Sequence, residues 1–241
     1  MKTIGVIPAR WGSKRFEGKV LAKILGKPMI QHVWERARQS SLLEEVIIAC
    51  DDERIQAQAK RFSAQVVMTS KDHPSGTDRI IEAVKDIDCE IVVNIQGDEP
   101  LIHPKTIDAL VQALLVDKSC PMATAIFPLK DKKLLQDPNV VKVVIDCLGY
   151  ALYFSRAVVP FPRDSDLAGQ KYYKHIGLYA YRKSFLMTYQ NLPPSSLEST
   201  EKLEQLRVLE AGFRIKTIET AHDSCGVDTP EDLKSVEKRM S

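Results

Sequence analysis

Short apolar runs alternate with helix-period segments along the first half of this chain. Residues 2–8, 45–50, 65–68, 90–95 and 122–127 are nearly continuous apolar or β-branched runs of strand length. A strand buried on both faces has this pattern, because neither side meets water. Between the runs, apolar residues recur every three or four positions, which predicts helices. These span 28–40, the stretch from Asp51 and Asp52 to 62, 78–87 and 104–117. Pro28 and Pro104 fall in first turns, and Asp51 and Asp52 are N-cap candidates. The βαβαβαβαβ order predicts an α/β fold with a mostly parallel sheet and helices on both faces.

The second half has a different pattern. Residues 140–146 and 150–154 are predicted as a hairpin around Cys147-Leu148-Gly149, and 155–171 as a long loop rich in Pro, Arg and Asp. A functional role or an oligomer contact is expected of that loop. A strand is predicted over 172–181, a helix over 183–191, a helix over 198–211 ended by Gly212, and a strand over 214–219. The last helix opens at Thr229-Pro230-Glu231-Asp232, with Thr229 as cap and an acid three residues on. The charge run 130–133 is expected to be a solvated turn. One domain over 1–241 carrying an inserted β-rich lobe is expected, with a nucleotide-binding part at about 1–130 and the lobe at about 131–225.

Composition narrows the function classes. With 34 basic and 32 acidic residues the formal charge is +2, which gives no reason to expect nucleic acid or an anionic membrane as partner. No run approaches the ~20 apolar residues of a membrane helix, and no signal peptide is expected. The five cysteines are widely spaced without a Cys-x-x-Cys, which suits reduced thiols in a cytoplasmic protein.

The loop after the first strand concentrates the chemistry. From Arg10 to Lys19 it holds four cations, two glycines and Ser13 in ten residues. Glycines let backbone N–H groups approach an anion, and Arg and Lys add fixed charge, so a polyphosphate cradle is expected. The spacing is that of neither a P-loop nor a dinucleotide fingerprint. Two further segments follow strands at the end where open parallel sheets bind ligands. Ser75-Gly76-Thr77-Asp78-Arg79 offers a cap and short donors. Gln96-Gly97-Asp98-Glu99-Pro100 offers a carboxylate facing the basic loop, which suits Mg²⁺, and Asp228 offers a second one. The histidines have no zinc spacing, and His175 alone reads as a packed histidine.

Together these segments resemble the CMP-Kdo synthetase family, Kdo being 3-deoxy-manno-octulosonate, over nearly the whole chain. The opening motif would fit several nucleotidyltransferases. The second-half motifs Ala151-Leu152-Tyr153-Phe154-Ser155-Arg156, His175-Ile176-Gly177-Leu178-Tyr179, Leu203-Glu204-Gln205-Leu206-Arg207 and Gly226-Val227-Asp228-Thr229-Pro230 single out the Kdo enzymes. The resemblance implies a nucleotide-diphospho-sugar transferase fold, CTP and Kdo as substrates, Mg²⁺, a homodimer and a cytoplasmic role in lipopolysaccharide synthesis. It also implies that Arg10, Ser13, Arg15 and Lys19 hold the triphosphate and that Ser75, Gly76, Arg79 and Gln96 line the cytosine and ribose site. Asp98 and Asp228 would hold the metal, with Lys19 completing the catalytic set. Arg156, His175, Tyr179, Glu204 and Gln205 would contact the acid sugar. Transfer to an amino analogue of Kdo or to a sialic acid, and a non-catalytic nucleotide-binding role, are the alternatives. The chain departs from the family pattern at Glu17 and Val20, where prolines are usual, and a glutamate beside a triphosphate is expected to cost affinity unless it turns away or pairs with Lys14 or Arg15.

Overall fold

Strand β1 (Thr3–Ala9) is buried along almost its whole length, as a run without polar alternation requires. The computed structural model of the chain describes residues 2–12, 16–163 and 170–240. After β1 come a 3-10 turn at Lys19–Leu21, the short strands β2 (Lys23–Ile24) and β3 (Lys27–Pro28), and α1 (Met29–Ala37). Then follow β4 (Glu45–Cys50), α2 (Glu53–Arg61), β5 (Gln65–Met68), α3 (Gly76–Val84), β6 (Ile91–Asn94), α4 (Pro104–Val116) and β7 (Met122–Leu129). The second half holds α5 (Lys132–Gln136), β8 (Lys142–Ile145), β9 (Ala151–Ser155), β10 (Tyr172–Arg182) and α6 (Lys183–Tyr189). It ends with α7 (Ser196–Glu201), α8 (Gln205–Glu210), β11 (Ile215–Glu219) and α9 (Pro230–Met240).

The main sheet has the order β11-β7-β10-β6-β1-β4-β5. Strand β1 pairs in parallel with β4 and β6, β4 with β5, and β11 with β7. Strand β10 is antiparallel to both β6 and β7 and separates the two parallel groups. The β8–β9 hairpin extends the sheet from β10. The inserted lobe is therefore fused to the sheet through one reversed central strand. Side chains alternate between two cores: Val46, Ile48 and Cys50 face α1 and α2 residues such as Ile30 and Ile55, while Ile47 and Ala49 face α3 and α8 residues such as Ile80 and Leu206.

Three expectations need correction. The helix predicted over 198–211 is two helices, because Lys202 adopts a left-handed backbone (φ +55°) that ends α7. The charge run at 130–133 enters a short helix, α5, capped by Asp131, whose carboxylate accepts from the Lys133 N–H. Of the two aspartates before α2, Asp52 is the cap, accepting from the Arg54 N–H. Asp51 instead pairs with Arg79.

Candidate active site

The carboxyl ends of β1 and β6 lie side by side, so the loops that leave them meet. Gly97 makes this approach possible: a Cβ there would stand 3.0 Å from the Pro8 carbonyl oxygen. The segment before α9 docks on the same spot, its Val227 N–H donating to the Asp98 carbonyl at 2.9 Å. Asp232 fixes the next turn by accepting from the Asp228 and Thr229 N–H groups, while the Thr229 hydroxyl caps α9. Asp98 and Asp228, 130 positions apart in the sequence, thereby face one lysine.

Lys19 Nζ donates to Asp98 Oδ2 at 2.5 Å, to Asp228 Oδ1 at 2.9 Å and to the Val227 carbonyl at 3.2 Å. Burial alone would lower the Lys19 pKa, but the charge of Asp98 and its bonds to both carboxylates outweigh that and raise it. The ammonium is thus held charged. Two carboxylates converging at one point are hard oxygen donors, of the kind Mg²⁺ takes beside substrate phosphates.

A cavity of about 210 Å³ opens from this point and is lined by Arg10, Lys19, Ser75, Gly76, Arg79, Gln96, Asp98 and Glu204 among others. Six of the residues expected to hold the nucleotide therefore border one space; Ser13 and Arg15 lie outside the described residues. Their commitments differ. The Arg79 guanidinium is spent inside the protein, on Asp51 Oδ2 at 2.8 Å and Thr69 Oγ1 at 2.6 Å. The Ser75 hydroxyl caps α3, accepting from the Asp78 N–H at 3.1 Å and donating to its carboxylate at 2.7 Å. Gln96 Nε2 donates to Asn94 Oδ1 at 2.9 Å, which fixes its amide at the cavity wall. His73, which opens the candidate segment 73–79 without a role of its own in the sequence reading, also borders this cavity and pairs with Glu82.

A second cavity, about 250 Å³, shares Gly76, Gln96 and Glu204 with the first, so the two adjoin. His175, Tyr179 and Gln205 line it, with Tyr181 and Tyr189 beside them. A bulge in β10 between Ile176 and Tyr179 turns these side chains to the cavity, and Thr124 holds the bulge. Its hydroxyl reaches the Leu178 carbonyl at 2.9 Å and the Ile176 carbonyl at 3.2 Å. With that proton spent on a carbonyl, His175 Nε2 donates to Thr124 Oγ1 at 3.0 Å and Nδ1 remains an acceptor. Burial pushes the His175 pKa down to about 3, so the ring is neutral. Glu204 accepts from Thr77 Oγ1 at 3.0 Å, and burial raises its pKa. Gln205 is buried, and its Nε2 has no partner among the described residues. Arg156 borders neither cavity: its guanidinium donates to the carbonyls of Glu201 at 2.7 Å and Pro138 at 2.9 Å. Sequence motifs also left Thr124 and Glu99 without roles. Glu99 accepts from the Ser224 hydroxyl at 2.7 Å, and burial lifts its pKa to about 7.

Residues 4–218 match the cytidylyltransferase family. The 3-deoxy-manno-octulosonate cytidylyltransferase of Solibacter usitatus is 53% identical over 237 residues, covering 98% of this chain and 94% of its own length. That of Geotalea uraniireducens is 51% identical, covering 100% and 99%. The chain belongs to the 3-deoxy-manno-octulosonate cytidylyltransferase family. A solved structure of CMP:2-keto-3-deoxy-manno-octonic acid synthetase complexed with CTP superposes with a TM-score of 0.95 at 44% identity, over 100% of this chain and 98% of that one. A glucose-1-phosphate thymidylyltransferase from Bacillus anthracis, at 15% identity and a TM-score of 0.70, shares the fold alone, over 98% of this chain and 94% of its own. The expected nucleotide-diphospho-sugar transferase fold, a mostly parallel sheet flanked by helices, is borne out by this cytidylyltransferase and its neighbours.

Proposed function

We propose that this cytidylyltransferase activates Kdo with CTP, giving CMP-Kdo and pyrophosphate. The observation that carries the proposal is the pair of adjoining cavities, which share Gly76, Gln96 and Glu204. One is headed by the Lys19–Asp98–Asp228 cluster, and the other is lined by the neutral His175 and by Gln205, whose Nε2 has no partner among the described residues. A triphosphate fits the first in charge, and a polyhydroxy acid finds donors and acceptors in the second.

The reaction is an in-line displacement at the α-phosphorus by the anomeric hydroxyl of the sugar, with pyrophosphate leaving. Such transfers depend on positioning and charge neutralisation. Lys19 brings a fixed positive charge to the phosphorus, and Arg10 adds a second at the cavity rim. The Gln96 amide, held by Asn94, orients what binds where the cavities meet. His175 Nδ1 and the Gln205 amide hold sugar hydroxyls, while Tyr179 keeps its proton and serves as a donor, because burial raises its pKa. Asp98 and Asp228 would hold Mg²⁺, which when bound neutralises phosphate charge and makes the incoming hydroxyl more acidic.

A cytoplasmic role in lipopolysaccharide synthesis and a homodimer belong to the same proposal. Five free cysteines suit a reducing compartment. Leu152 and Phe161, 60% and 81% exposed, are apolar surface that a second copy would cover. The test is pyrophosphate release with Kdo and Mg²⁺ against CTP, ATP, GTP and UTP in turn. Release specific to CTP, with a product of the mass of CMP-Kdo, is expected. Release with CTP that requires an amino sugar acid or a sialic acid instead would reassign the acceptor.

A further inference from the structure

The segment from Trp11 to Lys19 is tied together by a contact that its phosphate-binding reading does not use. The Trp11 indole N–H donates to Glu17 Oε1 at 2.7 Å. The Arg54 guanidinium carbon stands 3.4 Å from the centroid of the same ring, and Asp52 holds that guanidinium through two bonds of 2.8 Å. The Gly18 N–H donates to the Trp11 carbonyl at 3.0 Å. Gly18 has φ +63°, and a Cβ on it would come within 2.9 Å of Trp11 Cη2, so the ring and the turn fit each other only with glycine there. The Trp11 N–H in turn donates to Asp51 Oδ1 at 2.9 Å, and Asp51 is the partner of Arg79 in the cavity wall. Both ends of the loop are therefore joined through one indole ring, and the Trp11 backbone is anchored through Asp51 to the nucleotide cavity. Lys19 follows Gly18 directly.

We infer that Glu17 and Trp11 form a clasp that presets the loop for the nucleotide, making both of them positioning residues. The inference deepens the proposed cytidylyl transfer and rests on it for the identity of the ligand. Two effects of Glu17 oppose each other. Its charge repels a triphosphate, but the side chain is exposed and that repulsion is screened. Its bond to Trp11 fixes Trp11 and the Gly18 turn against each other before binding, so less ordering of these described residues is left for the nucleotide to impose. The Glu17 carboxylate faces the indole N–H, so its best acceptor geometry is spent on the loop itself. Lys14 and Arg15, the partners expected for Glu17 from the sequence, lie outside the described residues. The clasp wins wherever the loop's order limits binding.

The chain's two tryptophans make the clasp measurable without any nucleotide. In a Trp34→Phe background only Trp11 emits, and the Trp34 indole nitrogen has no partner to lose. The clasp predicts that Glu17→Ala exposes Trp11 to acrylamide quenching, while Glu17→Gln, whose amide oxygen still accepts the N–H, quenches like the parent. In the otherwise unchanged chain it predicts that Glu17→Ala and Trp11→Phe each raise KM for CTP by roughly fivefold, the weight of one lost hydrogen bond. In both, kcat stays within about twofold, because the lost contact is remote from the reacting phosphorus. Glu17→Gln restores the parental KM. Unchanged Trp11 quenching in Glu17→Ala overturns the clasp, and so does a KM for CTP that falls in Glu17→Ala or Glu17→Gln, which would leave Glu17 a repelling charge only. A parent chain that releases no pyrophosphate from CTP removes the proposed function, while the quenching comparison still decides the clasp.

Discussion

Lys19 does two things at once: it neutralises Asp98 and Asp228, and it presents charge to the nucleotide cavity. Its side chain is only 14% exposed and it bonds both carboxylates, so removing it takes a partly buried positive charge away from Asp98 and Asp228. Lys19→Met is expected to cost about 1–3 kcal/mol of stability, the range for losing hydrogen bonds to charged groups at a partly buried site. In an Asp98→Asn background the same change should cost less, because one of the charges that Lys19 pairs with is already gone. Urea melts of the four proteins of that cycle decide it, and strictly additive losses would contradict the pairing. His175 gives a residue-scale dependence on pH. Its pKa falls from 6.5 to about 3 on folding, so the folded chain refuses a proton that the unfolded chain accepts. The stability it carries is full above pH 6.5 and is lost as pH falls toward 3, at up to about 1.4 kcal/mol per pH unit. Comparing urea melts near neutral pH and near pH ~5, His175→Gln is expected to narrow the difference between the two. An unaltered difference would place the acid sensitivity elsewhere.

At the scale of elements, the β10 bulge and the α7–α8 break shape the second cavity, and each turns on a single residue. Thr124 is fully buried and serves two bulge carbonyls and the His175 ring. Thr124→Val keeps the shape but leaves those groups unpaired, so a loss of about 1–3 kcal/mol is expected, with Thr124→Ser close to the parent. Thermal or urea unfolding of the two variants checks this, and equal stability would show that the hydroxyl is idle. Neither feature was legible in the sequence. A bulge has no composition signature when its residues are strand formers, and Lys202 gives no hint of a left-handed backbone that glycine usually marks. What was legible had a local cause. The strands at 45–50 and 65–68 fall where their apolar runs do, and the caps at Ser75, Thr229 and Asp52 follow from short polar side chains. From the residues alone the convergence of Asp98 and Asp228 was legible only as two acids at strand-to-helix junctions; the family resemblance is what assigned both to one metal beside Lys19. The shared lysine that draws them together comes from a third loop, and only the fold brings that loop in.

On the scale of the molecule, the reversed strand β10 joins the part proposed to bind nucleotide to the part proposed to bind sugar. Its Tyr179 pairs with Asn94 at the end of β6, and its preceding residues run on past that end, beside the turn that carries Asp98. The two cavities meet there, at Gly76, Gln96 and Glu204, so the two substrates would react at the seam between parallel and antiparallel sheet. That seam explains why the first half of the sequence reads as a nucleotide binder of open identity and the second half narrows it. The cluster at the seam is also where the whole account is most exposed. The deciding measurement is pyrophosphate release from CTP and Mg²⁺, with and without Kdo, by the parent chain and by Asp98→Asn. The account predicts release that requires Kdo and falls by about 100-fold or more in Asp98→Asn, with an unchanged circular dichroism spectrum. Near-normal turnover by Asp98→Asn at saturating Mg²⁺ would contradict it.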